Sequence, residues 1–288
     1  MPKIILTLVT GTATDKPVLS AAIAAARLFD AHLVALHPRL DVRLELARLA
    51  ANDMGMGGGL ESFATSMEDE AEKGAAAAEK HWSEACDHAG VTRADRPEAK
   101  GSTGVTSTLV VETGAAPDWL AEYGRTADLI VVGRDPDNRL DVLEAALLDT
   151  GKPVLIATER LDPCLHGVVA IAWKNTAEAA GAVSAAMPFI AKALRVVILS
   201  IDEDPDVTDA SVERLAKNLR WHNPNVEIRR QAPGGADPID ALLEAADKAG
   251  ADLVVMGGYG HTRIREAVFG GFTRAVLQGA ALPVLMAH

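Results

Sequence analysis

The chain has 288 residues, a length that suits two domains of ordinary size, each large enough for its own core. Apolar residues make up 49% of it but aromatics only 4%, so the cores must be built from Ala, Val, Leu and Ile, as where helices pack on parallel strands rather than in a β-sandwich. A net charge of −12 argues against non-specific nucleic-acid or anionic-membrane binding. Cys86 and Cys164 are too few and too far apart for a disulfide framework. No apolar run approaches the ~20 residues of a membrane span, and strand-like residues begin at Lys3 with no signal pattern before them, so a cytoplasmic protein is expected.

In chain order, an apolar strand runs from Ile4 to Val9, followed by a small-residue stretch containing Ser20-Ala21-Ala22. Met54-Gly55-Met56-Gly57-Gly58-Gly59 has no strand before it and reads as a flexible linker or lid, with phosphate holding as the alternative. A long polar, Ala-rich helix follows from Glu61 to His88; its amphipathic period allows it to cover the domain or to contact a protein partner. Leu129-Ile130-Val131-Val132-Gly133 reads as a buried strand, and Pro153-Val154-Leu155 opens another. Beyond Asp162-Pro163 the pattern is strand 167–173, helix 177–193, strand 195–201, helix 207–220, strand 225–231, helix 237–249, strand 252–257, helix 271–279 and strand 283–287. Strands alternating with helices imply right-handed βαβ units and a parallel sheet.

The two halves repeat. Leu129 to Gly133 recurs as Leu253-Val254-Val255-Met256-Gly257, each preceded by Ala-Asp; Pro153-Val154-Leu155 recurs as Pro283-Val284-Leu285; Ser20-Ala21-Ala22 recurs as Ser184-Ala185-Ala186. Self-similarity in a fixed order argues for duplication. The Ser-Ala-Ala matches lie 164 residues apart and the strand-four matches 124, so the first half carries 40 additional residues within about 38–105. The closing Pro-Val-Leu matches lie 130 apart, so the first half lacks 6 residues between its fourth and fifth strands. That is where the second half has Gly257-Gly258-Tyr259-Gly260 through Gly270-Gly271-Phe272-Thr273. Glycines after a strand and before a helix let backbone N–H groups approach an anion closely. The spacing is neither a Walker A loop nor a dinucleotide GxGxxG.

The pattern G-x2-G-x9-G, closed by Leu282-Pro283-Val284-Leu285, resembles the nucleotide-binding end of the universal stress protein family. The resemblance implies two tandem doubly wound α/β domains, 1–160 and 165–288, each a five-stranded parallel sheet of order 3-2-1-4-5 flanked by helices. It covers nearly all of 165–288 and, more weakly, 1–160. It further implies adenine-nucleotide binding, ATP with or without Mg2+, in the second half. The residues it assigns there are Ala172, Trp173, Lys174, Val197, Gly257, Gly260, Gly270, Gly271, Phe272 and Thr273. Gly271 stands where the family has Ser or Thr, and Lys174 where it has an aspartate that contacts the nucleoside. In the first half, Gly133 is followed by Arg134-Asp135-Pro136-Asp137-Asn138, whose acidic pair repels phosphate, so that half is expected to have lost nucleotide binding. The family's pairing through the last strand implies an intramolecular pseudo-dimer with Val154-Leu155-Ile156 against Val284-Leu285-Met286, which also covers those edges; a homodimer of the whole chain is compatible with it.

Several residues keep two readings. Lys174 approaches a phosphate while Trp173 stacks on a base, or Lys174 is solvated, Trp173 fills the sheet end and Asn175 or Thr176 caps the next helix. His261, Arg263, Arg265 and Arg274 lend the loop positive charge or simply solvate it. His81 and His88 share a helix face but Cys86 points away, so no metal site is expected. No nucleophile–base pair is evident. Three functions follow: a nucleotide-binding stress or signalling protein, a nucleotide-independent scaffold acting through the 61–88 helix, and a slow ATPase whose base is His261 or Glu266.

Overall fold

A computed structural model describes residues 1–51, 60–96, 104–134, 140–161, 163–201, 210–231, 238–258 and 281–288. Within the first half lie β1 (Ile4–Leu8), α1 (Asp15–Phe29), β2 (His32–Arg39), α2 (Val42–Ala51), α3 (Leu60–Ala89), β3 (Thr92–Arg93), β4 (Thr106–Thr113), α4 (Ala116–Gly124), β5 (Leu129–Val132), α5 (Leu140–Glu144), a wide π-helical turn over Ala145–Asp149, and β6 (Val154–Ile156). The second half contributes β7 (Val168–Ala172), α6 (Ala177–Lys192), β8 (Arg195–Ile201), α7 (Ala210–Leu219), β9 (Val226–Gln231), α8 (Pro238–Lys248), β10 (Leu253–Gly257) and β11 (Val284–Ala287). Among the described residues, strand and helix bounds in the second half follow the sequence pattern closely, because both periods there are unbroken by insertions; the expected helix 271–279 lies outside the described residues.

The strands form one 11-stranded sheet in the order β3-β4-β2-β1-β5-β6-β11-β10-β7-β8-β9. The second half reads 3-2-1-4-5 from β9 to β11. The first half follows the same order from β4 to β6, with the two-residue β3 added outside. The expected pair of five-stranded sheets is therefore one continuous sheet with one additional strand. Every pairing is parallel except β6 with β11, where Val284 lies opposite Ile156, Leu285 opposite Leu155 and Met286 opposite Val154. These are the residues expected at the contact between halves.

Both faces of the sheet continue across that junction. On one face, odd-numbered strand residues such as Ile5, Leu33, Leu129, Val131, Leu155, Leu285, Val255 and Ile171 pack with α1 and α6. Phe29 of α1 and Phe189 of α6 meet edge-to-face, with centroids 4.8 Å apart and planes at 87°. The opposite face joins Leu6, Leu36, Ile130, Ile156, Met286, Val254, Val197 and Leu199 with α4, the π turn and α8. Runs apolar on both faces are what a sheet covered by helices on both sides demands. Alanines 21, 22, 25 and 26 of α1 are all buried; their short side chains let the helix lie close to the strands.

The stretch 38–105 contains α2, α3 and β3. α3 packs on α1, β2 and β4, with Ala78 fully buried against Val9, Leu19 and Ala35. Trp82 Nε1 donates to Ser107 Oγ at 2.8 Å. Over Glu61–Glu70 the helix is largely exposed.

Candidate functional site

In an open parallel sheet ligands sit beyond the carboxyl ends of the strands, where the strand order reverses. In the second half that place is between β7 and β10, which pair in parallel with Met256 opposite Ala172. The chain leaves β7 through Trp173, Lys174, Asn175 and Thr176. Thr176 is extended (φ −129°, ψ 162°) and its side chain accepts from the Ala179 amide at 3.3 Å, so it caps α6. The positive end of α6 therefore opens at the sheet's carboxyl end. Gly257 lies against that end: a Cβ there would come within 2.7 Å of Ala179 N and of the Glu178 carbonyl carbon. Glycine is what allows β10 to close on the first turn of α6. Gly258 continues the strand by donating its N–H to Ala287 O at 2.8 Å.

Of the residues assigned from sequence, Ala172, Trp173, Lys174 and Gly257 come together at this junction. Gly260, Gly270, Gly271, Phe272 and Thr273, with His261, Arg263, Arg265, Glu266 and Arg274, lie outside the described residues. Trp173 donates its indole N–H to Ser211 Oγ of α7 at 2.9 Å and its amide to Leu199 O at 2.8 Å. It is half-buried and fills the end of the sheet. Lys174 is exposed. Val197 is placed elsewhere. It is fully buried in the core beneath α8 and pairs with Ala170, whereas Leu199 is the β8 residue level with Ala172. At roughly 3.3 Å per residue, Val197 lies well below the rim.

The equivalent junction in the first half is built differently. Asp15, at the start of α1, is 1% exposed. Its carboxylate accepts from the Thr10 amide at 2.7 Å and the Thr10 hydroxyl at 3.0 Å, from the Gly11 amide at 2.8 Å, and from His81 Nδ1 of α3 at 2.8 Å. The backbone donors of this loop thus point inward to a carboxylate of the same chain. Gly11 has φ +82°, and a Cβ on it would strike the Gly74 carbonyl of α3. Helix α3 covers this loop. Gly133, at the position of Gly257, likewise abuts the first helix, through Val18. Arg134 after it donates to Leu282 O of the second half at 3.4 Å. Burial pushes its guanidinium down, against the opposing charge of Glu159. The Asp15 network, absent from the residues assigned from sequence, has a signal of its own there: Thr10-Gly11-Thr12 followed by an aspartate at the mouth of an Ala-rich helix.

His81, Cys86 and His88 have separate surroundings. His81 is bonded to Asp15. Cys86 is fully buried, which raises its thiol above the ordinary value despite a hydrogen bond from Ser107. His88 is exposed. Among the described residues no group of three or more His, Cys, Asp or Glu side chains is placed to hold a metal ion, and no helix is long and apolar enough to cross a membrane.

The model of the universal stress protein family matches residues 151–288. The second half of this chain is a universal stress protein domain. Solved structures agree on the architecture over the full length. A universal stress protein from Archaeoglobus fulgidus DSM 4304 is 15% identical, with 99% of this chain and 95% of that chain covered at a TM-score of 0.69. One from Pseudomonas aeruginosa UCBPP-PA14, described as putative, is 18% identical, covering 99% and 93% at 0.53. A universal stress protein solved in complex with cAMP overlays 43% of this chain and 99% of its own, at 18% identity and a TM-score of 0.33. No curated protein matches the sequence. Residues 1–150, outside the family match, are those whose junction is filled by Asp15 and covered by α3.

Proposed function

We propose that this universal stress protein binds an adenine nucleotide, ATP with or without Mg2+, in its second half, and that binding serves stress signalling rather than turnover. The observation that carries the reading is the close approach of Gly257 to the first turn of α6, which sets the start of the glycine loop beside the positive end of a helix, where phosphate is favoured. The spacing of Gly257, Gly260 and Gly270 extends that cradle, with Thr273 supplying a hydroxyl. Residues 1–160 and 165–288 act as two domains of unequal role, the first structural. Within this reading Lys174 neutralises phosphate charge.

The test is nucleotide extraction. Freshly purified protein is denatured and the supernatant separated by ion exchange with mass detection, and apo protein is titrated with Mg-ATP by calorimetry. Near-stoichiometric nucleotide, lost in Gly260→Val, is the expected result; an empty supernatant with no heat of binding refutes the reading. Lys174→Asp separates its parts: a gain in adenosine selectivity leaves the phosphate cradle independent of the lysine, and loss of ATP binding assigns Lys174 to the phosphates.

One observation favours a nucleotide-independent scaffold. The edge of the Trp173 indole is tied to Ser211, which holds the ring in the sheet end, and Lys174 replaces the aspartate that would contact a nucleoside. Under that reading the exposed part of α3 is the partner surface.

A further inference from the structure

A sheet of eleven strands has two outer edges, and this chain treats them differently. At one end, β9 carries Glu227, Arg229 and Arg230. Glu227 pairs with Arg195 at 3.2 Å and with Arg229 at 3.6 Å, and Arg230 pairs with Glu213 at 3.3 Å. Charges along an edge are the usual protection against strand addition.

At the other end the guard is short. β3 pairs only with Thr106 and Ser107 of the eight-residue β4, and the Ala94 amide reaches Ser107 O at 2.9 Å. From Thr108 onward β4 is paired on its inner side by β2 alone. In a parallel pair alternate residues address one neighbour. Because Val105 and Ser107 address β3, Leu109, Val111 and Thr113 turn their backbone groups outward. The Thr113 carbonyl accepts from Trp119 Nε1 at 3.1 Å. Among the described residues nothing bonds the outward N–H and C=O of Leu109 and Val111. The strand is Thr-Leu-Val-Val-Glu over these positions, rich in β-branched residues, with Val111 50% exposed. Its single charge is turned away from guard duty, since Glu112 accepts from Tyr123 OH at 2.6 Å.

We propose that this edge of β4 pairs antiparallel with the same edge of a second copy of the chain. Directly opposed residues in an antiparallel pair must both face the partner or both face away. A two-fold arrangement that satisfies this sets Val110 opposite Val110 of the second copy and Leu109 opposite its Val111, twice over. Thr108 then lies opposite Glu112, so no like charges face each other, which matters in a chain of net charge −12. The chain already joins two short apolar edges in this way at β6 and β11. An isologous contact of this kind closes after two copies and does not polymerise, since the opposite edge, β9, is charged.

Sedimentation velocity over a range of micromolar concentrations tests the pairing. The unaltered chain passes from monomer to dimer with rising concentration, and Val111→Lys weakens the dimer at least tenfold, while circular dichroism shows that the variant is folded. In a Cys164→Ser background, Val110→Cys forms a covalent dimer under mild oxidation and Thr108→Cys does not, because only residue 110 meets itself. That crosslink tests the edge even if the lysine variant is unstable. A chain that stays monomeric throughout, or a dimer that survives Val111→Lys with no crosslink at 110, overturns the proposal.

Discussion

Replacing Asp15 with alanine should destabilise the chain more than any surface substitution. The aspartate is buried and its two oxygens take the Thr10 amide and hydroxyl, the Gly11 amide and His81 Nδ1, all within 3.0 Å. With the carboxylate gone, the Thr10 hydroxyl keeps Thr12 as a partner at 2.8 Å. His81, one-third exposed on its side chain, turns to water. The two backbone amides keep no acceptor. Each orphaned, shielded donor costs about 1–3 kcal/mol, so the variant should lose roughly 2–6 kcal/mol. With a urea m-value of about 3 kcal/mol per molar for a chain of this size, the midpoint should fall by about 1 M. Urea titration followed by far-ultraviolet circular dichroism reads that shift, with Thr14→Ala as control, because Thr14 precedes α1 without a capping bond. Asp15→Asn retains one acceptor oxygen and should fall between the two. A loss below about 1 kcal/mol for Asp15→Ala would show that water replaces the carboxylate, and the account of the first-half loop as satisfied from within would fail.

Other expectations follow from separate regions. Asn223 donates from Nδ2 to Ile190 O at 2.9 Å and Ala193 O at 2.7 Å while 3% exposed, so Asn223→Ala should cost about 2–4 kcal/mol, read from the same urea curves. Gly257→Ala should cost about 1–3 kcal/mol through overpacking against α6; calorimetry should show weakened ATP binding as well if the glycine loop starts there. Burial holds the His32 imidazole below its ordinary value. Its folded value is below its unfolded one, so its contribution to stability is full above about pH 6.5 and is lost as pH falls from there toward the folded value. The midpoint of His32→Gln should change less across that window than that of the unaltered chain, and equal slopes would refute the assignment.

Much of the second half was legible because each element keeps an undisturbed period. Strand 195–201 is read to the residue, and helix 177–193 differs from α6 by one position. Gly257 was legible from its place after an apolar run, and its packing on α6 gives the physical reason for a residue without Cβ. What local pattern does not encode is which strand lies beside which. The fusion of two sheets through β6 and β11 came from a family resemblance, and the two-residue β3 has too few residues to show any period. Val197 fails for a related reason: height along a strand depends on the register with β7, which alternation alone leaves open. Asp15 and His81 lie 66 residues apart, and only the path of α3 brings them together. That His81 and His88 share a face is visible in sequence because both lie on one helix, whereas a partner of His81 on another helix is not.

The antiparallel seam also bears on concentration. Two separate chains meeting through three-residue edges would form a pair whose population rises and falls with protein level. Joined by the short connection from β6 to β7, the halves meet at an effective concentration set by that tether and independent of expression. The Phe29–Phe189 contact and the two shared cores then form at every cellular dose. One half can then fill its own strand-end junction from within, as Asp15 does in the first half, without losing its packing against the other.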